Sequence, residues 1–158
     1  MELAGPLSLA SEAETAGLAA RLAPALRPGD TILLAGEVGA GKSSFARALI
    51  RARLGDPGAE VPSPTFTLVQ TYGEGSEALW HADLYRLSDP SEVAELGLLA
   101  AMEEAICLVE WPDRLGSLAP ASALRLDLAL AGREEDGRTA TFSGSPIWAP
   151  RLEAIHAR

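Results

Sequence analysis

Apolar and polar positions alternate in blocks that predict helices and strands in turn. Ser11-Glu12-Ala13-Glu14 has the form of a capping box. Leu18, Leu22 and Leu26 follow at a spacing of four, which predicts a helix over 12–26, shortened or kinked late by Pro24. Thr31 to Ala35 is a short apolar run with a β-branched start and predicts a buried strand. Gly36 to Gly41 is a glycine-rich loop. Phe45, Ala48, Leu49 and Ala52 then share one helical face, and Gly55 stops that helix.

Phe66 to Tyr72 and Ala78 to Asp83 read as a hairpin around Gly73-Glu74-Gly75. Ser91 is expected to cap a short helix, and Leu98 to Glu104 to form another. Ile106 to Val109 reads as a buried strand ending in Glu110-Trp111-Pro112. Leu124, Leu126, Leu128 and Leu130 alternate with polar or small residues, as in a half-buried strand, and Thr139 to Ser143 pairs back after a polar turn over 132–138. Trp148, Leu152 and Ile155 suggest a last helix. Strands alternating with helices predict an α/β, three-layer domain with a mostly parallel, mixed central sheet. The expectation is one domain over 1–158, with a core over about 11–143 and a C-terminal helix over about 146–158.

Composition narrows the classes. No run of 18 apolar residues is present to span a membrane, and no basic segment opens the chain, so a cytoplasmic protein is expected. A single cysteine and two histidines supply neither a disulfide framework nor an ordinary zinc site. The net charge of −9 argues against unaided binding to nucleic acid, whether tRNA or DNA. Of 13 basic residues, Lys42 alone is lysine.

That lysine belongs to Gly36-Glu37-Val38-Gly39-Ala40-Gly41-Lys42-Ser43, which fits G-x-x-x-x-G-K-[ST]. Glycines let successive backbone N–H groups turn inward onto phosphate oxygens, and the following helix offers its N-terminus to anions. In such a P-loop NTPase fold Lys42 reaches the β- and γ-phosphates of ATP, and the Ser43 hydroxyl ligates Mg²⁺. The nucleotide-binding run expected here is Glu37, Val38, Gly39, Ala40, Gly41, Lys42, Ser43 and Ser44. A second acid is needed. Glu110 and Asp83 each end an apolar strand, and either suits a general base, a water-positioning group or a Mg²⁺ ligand. Ser63-Pro64-Thr65-Phe66 is a rigid, hydroxyl-bearing loop where γ-phosphate-sensing segments commonly lie. His81 reads as a hydrogen-bonded strand histidine, and Trp111 as a tryptophan near the site.

Four segments together resemble the bacterial TsaE (YjeE) family: Leu34 to Ser44, Val61-Pro62-Ser63-Pro64-Thr65-Phe66-Thr67-Leu68-Val69, His81-Ala82-Asp83-Leu84-Tyr85-Arg86-Leu87, and Leu108-Val109-Glu110-Trp111-Pro112. The resemblance runs from about Ser11 to Arg133. It implies a weak ATPase of tRNA threonylcarbamoyladenosine synthesis that works with TsaB and TsaD and meets tRNA only through them. By match, Lys42 binds phosphate, Ser43 and Glu110 hold Mg²⁺, and Asp83 is the catalytic or metal-linked acid. Ser63, Thr65, Phe66 and Trp111 would lie in segments responding to nucleotide or partner. The adenine side would be approached by Ser11 to Thr15 and by a late basic residue, Arg133. The chain departs from the usual family pattern at Val38, Ser43 and Asp113. Two other functions fit a short P-loop domain: a small-molecule or nucleotide kinase, and a nucleotide-binding regulator without chemistry.

Overall fold

The structure, a computed structural model, describes residues 1–64, 67–73, 77–131 and 137–156. Among these residues seven strands form one sheet: β1 (Glu2–Leu9), β2 (Thr31–Ala35), β3 (Val69–Tyr72), β4 (Leu79–Asp83), β5 (Ile106–Glu110), β6 (Leu124–Leu130) and β7 (Arg138–Ser143). Their order is β1-β7-β6-β2-β5-β4-β3. The central four, β6, β2, β5 and β4, are parallel, while β3, β7 and β1 add antiparallel margins.

The two central strands, β2 and β5, are buried at every position and almost wholly apolar because both of their faces are covered. In β2, Ile32 and Leu34 join the core beneath α1 (Glu12–Leu22) and α2 (Lys42–Leu54), whereas Leu33 points into the opposite core. In β5, Ile106 and Leu108 face the first core, and Cys107 and Val109 the second. That second core also takes Val93 of α3 (Glu92–Glu95), Leu98 of α4 (Leu98–Glu104) and Leu115 of a 3-10 segment (Pro112–Leu118). The three-layer α/β arrangement is therefore formed as expected.

Cys107 is fully buried, and burial pushes its thiol up to about 12 from an ordinary 9.0. At pH 8 its alkylation should run about a thousandfold slower in the native chain than in denaturant, measured by mass. The raised value also sets a sign for stability. The contribution of the neutral thiol is complete below pH 9.0 and is lost as pH rises toward about 12.

Several elements differ from the sequence reading. Helix α1 ends at Leu22, and the chain tightens into a 3-10 turn over Ala23–Ala25, because Pro24 brings no N–H to the ladder. The first hairpin strand starts only at Val69, since Leu68 takes φ 69° and breaks the extended run. Phe66 lies outside the described residues. Ser91 sits at the start of α3 but is itself helical in backbone angles and makes no side-chain cap. Instead its N–H donates to Asp89 Oδ1 at 2.9 Å, which holds the Asp89 carboxyl below its usual range. The expected last helix is two 3-10 segments, Pro146–Trp148 and Arg151–His156, since Pro146 and Pro150 interrupt an i→i−4 ladder.

Trp148 remains in the core, donating from Nε1 to the Ser122 carbonyl at 2.8 Å, and Arg151 stacks on its ring while binding Asp30. Strand β1 falls outside the expected core. It carries Gly5 and Pro6, which fit only an edge strand, and it pairs with β7 through two register shifts.

Candidate nucleotide site

The carboxyl ends of β2, β4 and β5 converge on one open cavity of about 490 Å³. Its walls include Lys42, Ser43, Asp83, Glu110, Trp111 and Arg138. The loop after β2 forms its floor. Gly36, Gly39 and Gly41 hold φ of 145°, 86° and 104°, values that favour glycine. Gly36 is also sterically constrained, because a Cβ there would lie 2.3 Å from the Leu128 carbonyl oxygen of the neighbouring strand. Gly41 precedes α2 without any side-chain cap, so the first N–H groups of a 13-residue helix face the cavity.

Lys42 is buried, 5 % exposed, and folds back over its own loop. Its Nζ donates to the Gly36 carbonyl at 2.5 Å and to the Glu37 carbonyl at 2.9 Å. The same ammonium lies 4.1 Å from the Trp111 ring, which in turn meets Tyr85 at 4.9 Å between centroids. Burial lowers the Lys42 pKa from its ordinary value, and the charges of Glu110, Asp83 and Glu37 oppose that shift. Trp111 reaches this place through a left-handed backbone, φ 60° and ψ 55°, directly after β5.

Asp83 and Glu110 are paired in register on adjacent parallel strands. Both are buried where a surface carboxylate would be solvated. Asp83 Oδ1 accepts from the Tyr85 N–H at 3.0 Å. Glu110 Oε1 accepts from Ser43 Oγ at 3.0 Å, and Oε2 lies 2.7 Å from His81 Nε2. Ser43 and Glu110 thus present hard oxygen donors at the helix start. Among the described residues no trio of His, Cys, Asp and Glu is gathered to hold a metal unaided. A sparse oxygen set of this kind suits Mg²⁺, which keeps waters and takes phosphate oxygens as further ligands.

The structure brings together most of the residues singled out in the sequence. Val38, Gly39, Gly41, Lys42, Ser43, Ser44 and Thr15 line the cavity with Asp83, Glu110 and Trp111. Ala40 is buried within the loop, and Glu37 lines a second groove beside Trp111, Pro112 and Asp127. Ser11 does not line the cavity; its Oγ caps α1 by accepting from the Glu14 N–H at 3.3 Å. Ser63 is exposed and does not line the cavity either. Thr65, Phe66 and Arg133 lie outside the described residues.

Tyr85 and Arg138 reach the cavity although the sequence reading assigns them no binding role, and Glu12 reaches it from the Ser11 to Thr15 stretch expected on the adenine side. Arg138 Nε donates to the Gly39 carbonyl at 3.2 Å. The β6–β7 hairpin was legible in the sequence; the pairing of β6 beside β2, which sets Arg138 next to the loop, was not.

Comparison with known proteins gives the chain a family. The family model "Threonylcarbamoyl adenosine biosynthesis protein TsaE" matches residues 9–140. Relatives named tRNA threonylcarbamoyladenosine biosynthesis protein TsaE include one from Rickettsia conorii, 40 % identical over 77 % of this chain and 69 % of its own. Another, from Bacillus subtilis, is 36 % identical over 84 % of this chain and 82 % of its own. A third, from Aquifex aeolicus, is 41 % identical over 72 % and 81 %. The crystal structure of Bacillus subtilis YdiB superposes with a TM-score of 0.73 at 27 % identity, covering 95 % of this chain and 92 % of that one. All four motifs that carry the resemblance lie inside the matched span, three of them contributing to the one cavity, and the chain belongs to the TsaE family, whose members are named for tRNA threonylcarbamoyladenosine biosynthesis.

Proposed function

We propose that the chain is a Mg²⁺-dependent ATPase that supports tRNA threonylcarbamoyladenosine synthesis together with TsaB and TsaD. The observation that carries this reading is the Ser43–Glu110 contact of 3.0 Å beside Lys42, at the uncapped start of α2. The loop N–H groups and Lys42 bind the phosphates, and Glu12, Thr15 and Arg138 wall the nucleoside side.

Ser43 and Glu110 would hold Mg²⁺, which supplies charge neutralisation at the phosphates when bound. Water attacks the γ-phosphorus in line. Its oxygen forms the new P–O bond as the bond to the β–γ bridging oxygen breaks and ADP leaves. The buried Asp83 carboxylate orients that water and takes its proton. Catalysis rests on position and charge rather than on covalent chemistry with the protein. The chain's contact with tRNA runs through the partner proteins, in keeping with its net charge of −9. No helix among the described residues is long and apolar enough to cross a membrane.

The test is ATP hydrolysis by the full chain, with Mg²⁺ or EDTA and with or without the TsaB–TsaD pair. Slow hydrolysis that needs Mg²⁺ and rises at least about tenfold with the pair is expected. Equal turnover with and without the pair would count against the partnership. Phosphoryl transfer to a small acceptor faster than to water would replace hydrolysis by a kinase activity.

A further inference from the structure

His81 occupies the middle of β4 at 1 % exposure. Its neighbours in the same strand direction are Leu79 and Asp83, and its register partner on β5 is Leu108. Leu79 and Leu108 both belong to the core under α1 and α2, so an apolar side chain would pack at this position without any polar cost. Among the described residues the imidazole makes one polar contact, Nε2 to Glu110 Oε2 at 2.7 Å, and its buried Nδ1 has no hydrogen-bond partner. The ring is committed to a single carboxylate oxygen.

The direction of that bond follows from chemistry. An ionised carboxylate only accepts, so Nε2 carries the hydrogen and donates. The lone pair then falls on Nδ1, which leaves no buried N–H unmet. Glu110 is thereby held from both ends: Oε2 by His81 and Oε1 by the Ser43 hydroxyl. The carboxylate cannot rotate without breaking one of the two bonds.

We propose that His81 is a positioning residue, whose Nε2–H anchors one oxygen of Glu110 so that the other is presented toward the Ser43 hydroxyl and a metal ion held there. It acts through Glu110 and touches no substrate. The inference rests on the metal role given above to Ser43 and Glu110. Outer partners of this kind commonly change metal affinity by about 10–100-fold when removed.

The experiment is a calorimetric titration of ADP into the full chain at a series of MgCl₂ concentrations and in EDTA. It compares the unsubstituted chain with His81→Gln and His81→Asn. The Gln amide nitrogen reaches about as far as imidazole Nε2, whereas that of Asn stops short; both bring the same group into the strand. His81→Asn should raise the Mg²⁺ concentration at half effect by about tenfold, with ADP affinity in EDTA unchanged, and His81→Gln should stay within roughly threefold of the unsubstituted chain. A folded Asn variant with an unshifted Mg²⁺ midpoint overturns the positioning role, as does a Gln variant shifted as far as Asn. If Mg²⁺ leaves ADP affinity unchanged in the unsubstituted chain, the metal reading of Ser43 and Glu110 falls, and the role of His81 with it. Circular dichroism checks folding, and His81→Leu, of similar volume, carries the same comparison if the Asn chain does not fold.

Discussion

A Lys42→Ala chain is expected to lose ATP turnover by about 10²–10³-fold or more while keeping its fold. The ammonium is the one lysine of the sequence, and it lines the cavity at the start of α2, where the proposed nucleotide would set its phosphates. Its present partners are two carbonyls of the loop and the face of Trp111. None of these is a carboxylate in an ion pair, so the charge is available to a phosphate that displaces the carbonyls. Lys42→Arg should fail nearly as badly, because a planar guanidinium is too wide for the same seat.

The loss should show in both nucleotide affinity and rate, read by calorimetry and phosphate release. A pH dependence accompanies it. Burial holds the Lys42 pKa below its ordinary 10.5, and phosphate favours the charged form. Affinity for ADP should therefore fall as pH rises through a value under 10.5, and the Lys42→Ala chain should lack that fall.

Changes at Glu110 should separate charge from shape. In Glu110→Gln the side chain keeps its length and can still meet Ser43 and His81, so the melting temperature should move little. Mg²⁺-dependent turnover should drop by about 10²-fold, because the amide is a poor ligand for a hard cation. Glu110→Ala adds a structural loss. It strands the His81 ring, 1 % exposed, with no partner at either nitrogen. Leaving a buried donor unmet costs on the order of 2 kcal/mol, which corresponds to a melting temperature lower by roughly 4–8 °C in a domain of this size. A Glu110→Gln chain that hydrolyses ATP at the unsubstituted rate would remove Glu110 from the metal site.

Local chemistry accounts for what could be read early. The glycine spacing, the apolar run before it and the amphipathic helix after it are neighbours in the chain, so one segment carried the strand, glycine-rich loop and helix complete. β2, α4 and β6 end where their patterns end, because apolar runs bounded by turn residues state their own limits. β1 was missed for the converse reason. Its Gly5 and Pro6 contradict a strand locally, and only pairing with β7 makes it one. Pro146 and Pro150 likewise left the apolar spacing of Trp148, Leu152 and Ile155 intact while denying it a regular ladder.

By itself, the sequence determined the glycine-rich loop between strand and helix, the two strand-end acids and the class of fold, since each rests on residues close together in the chain. Tertiary structure alone decided how they meet. The pairing of β4 with β5 set Asp83 beside Glu110 and brought His81 onto its carboxylate. The pairing of β6 with β2 carried Arg138 to the loop, and the left-handed turn at Trp111 laid its ring over Lys42. Such contacts depend on which strands become neighbours, and that is settled by burying both faces of one sheet, a property of the whole chain that no single segment contains.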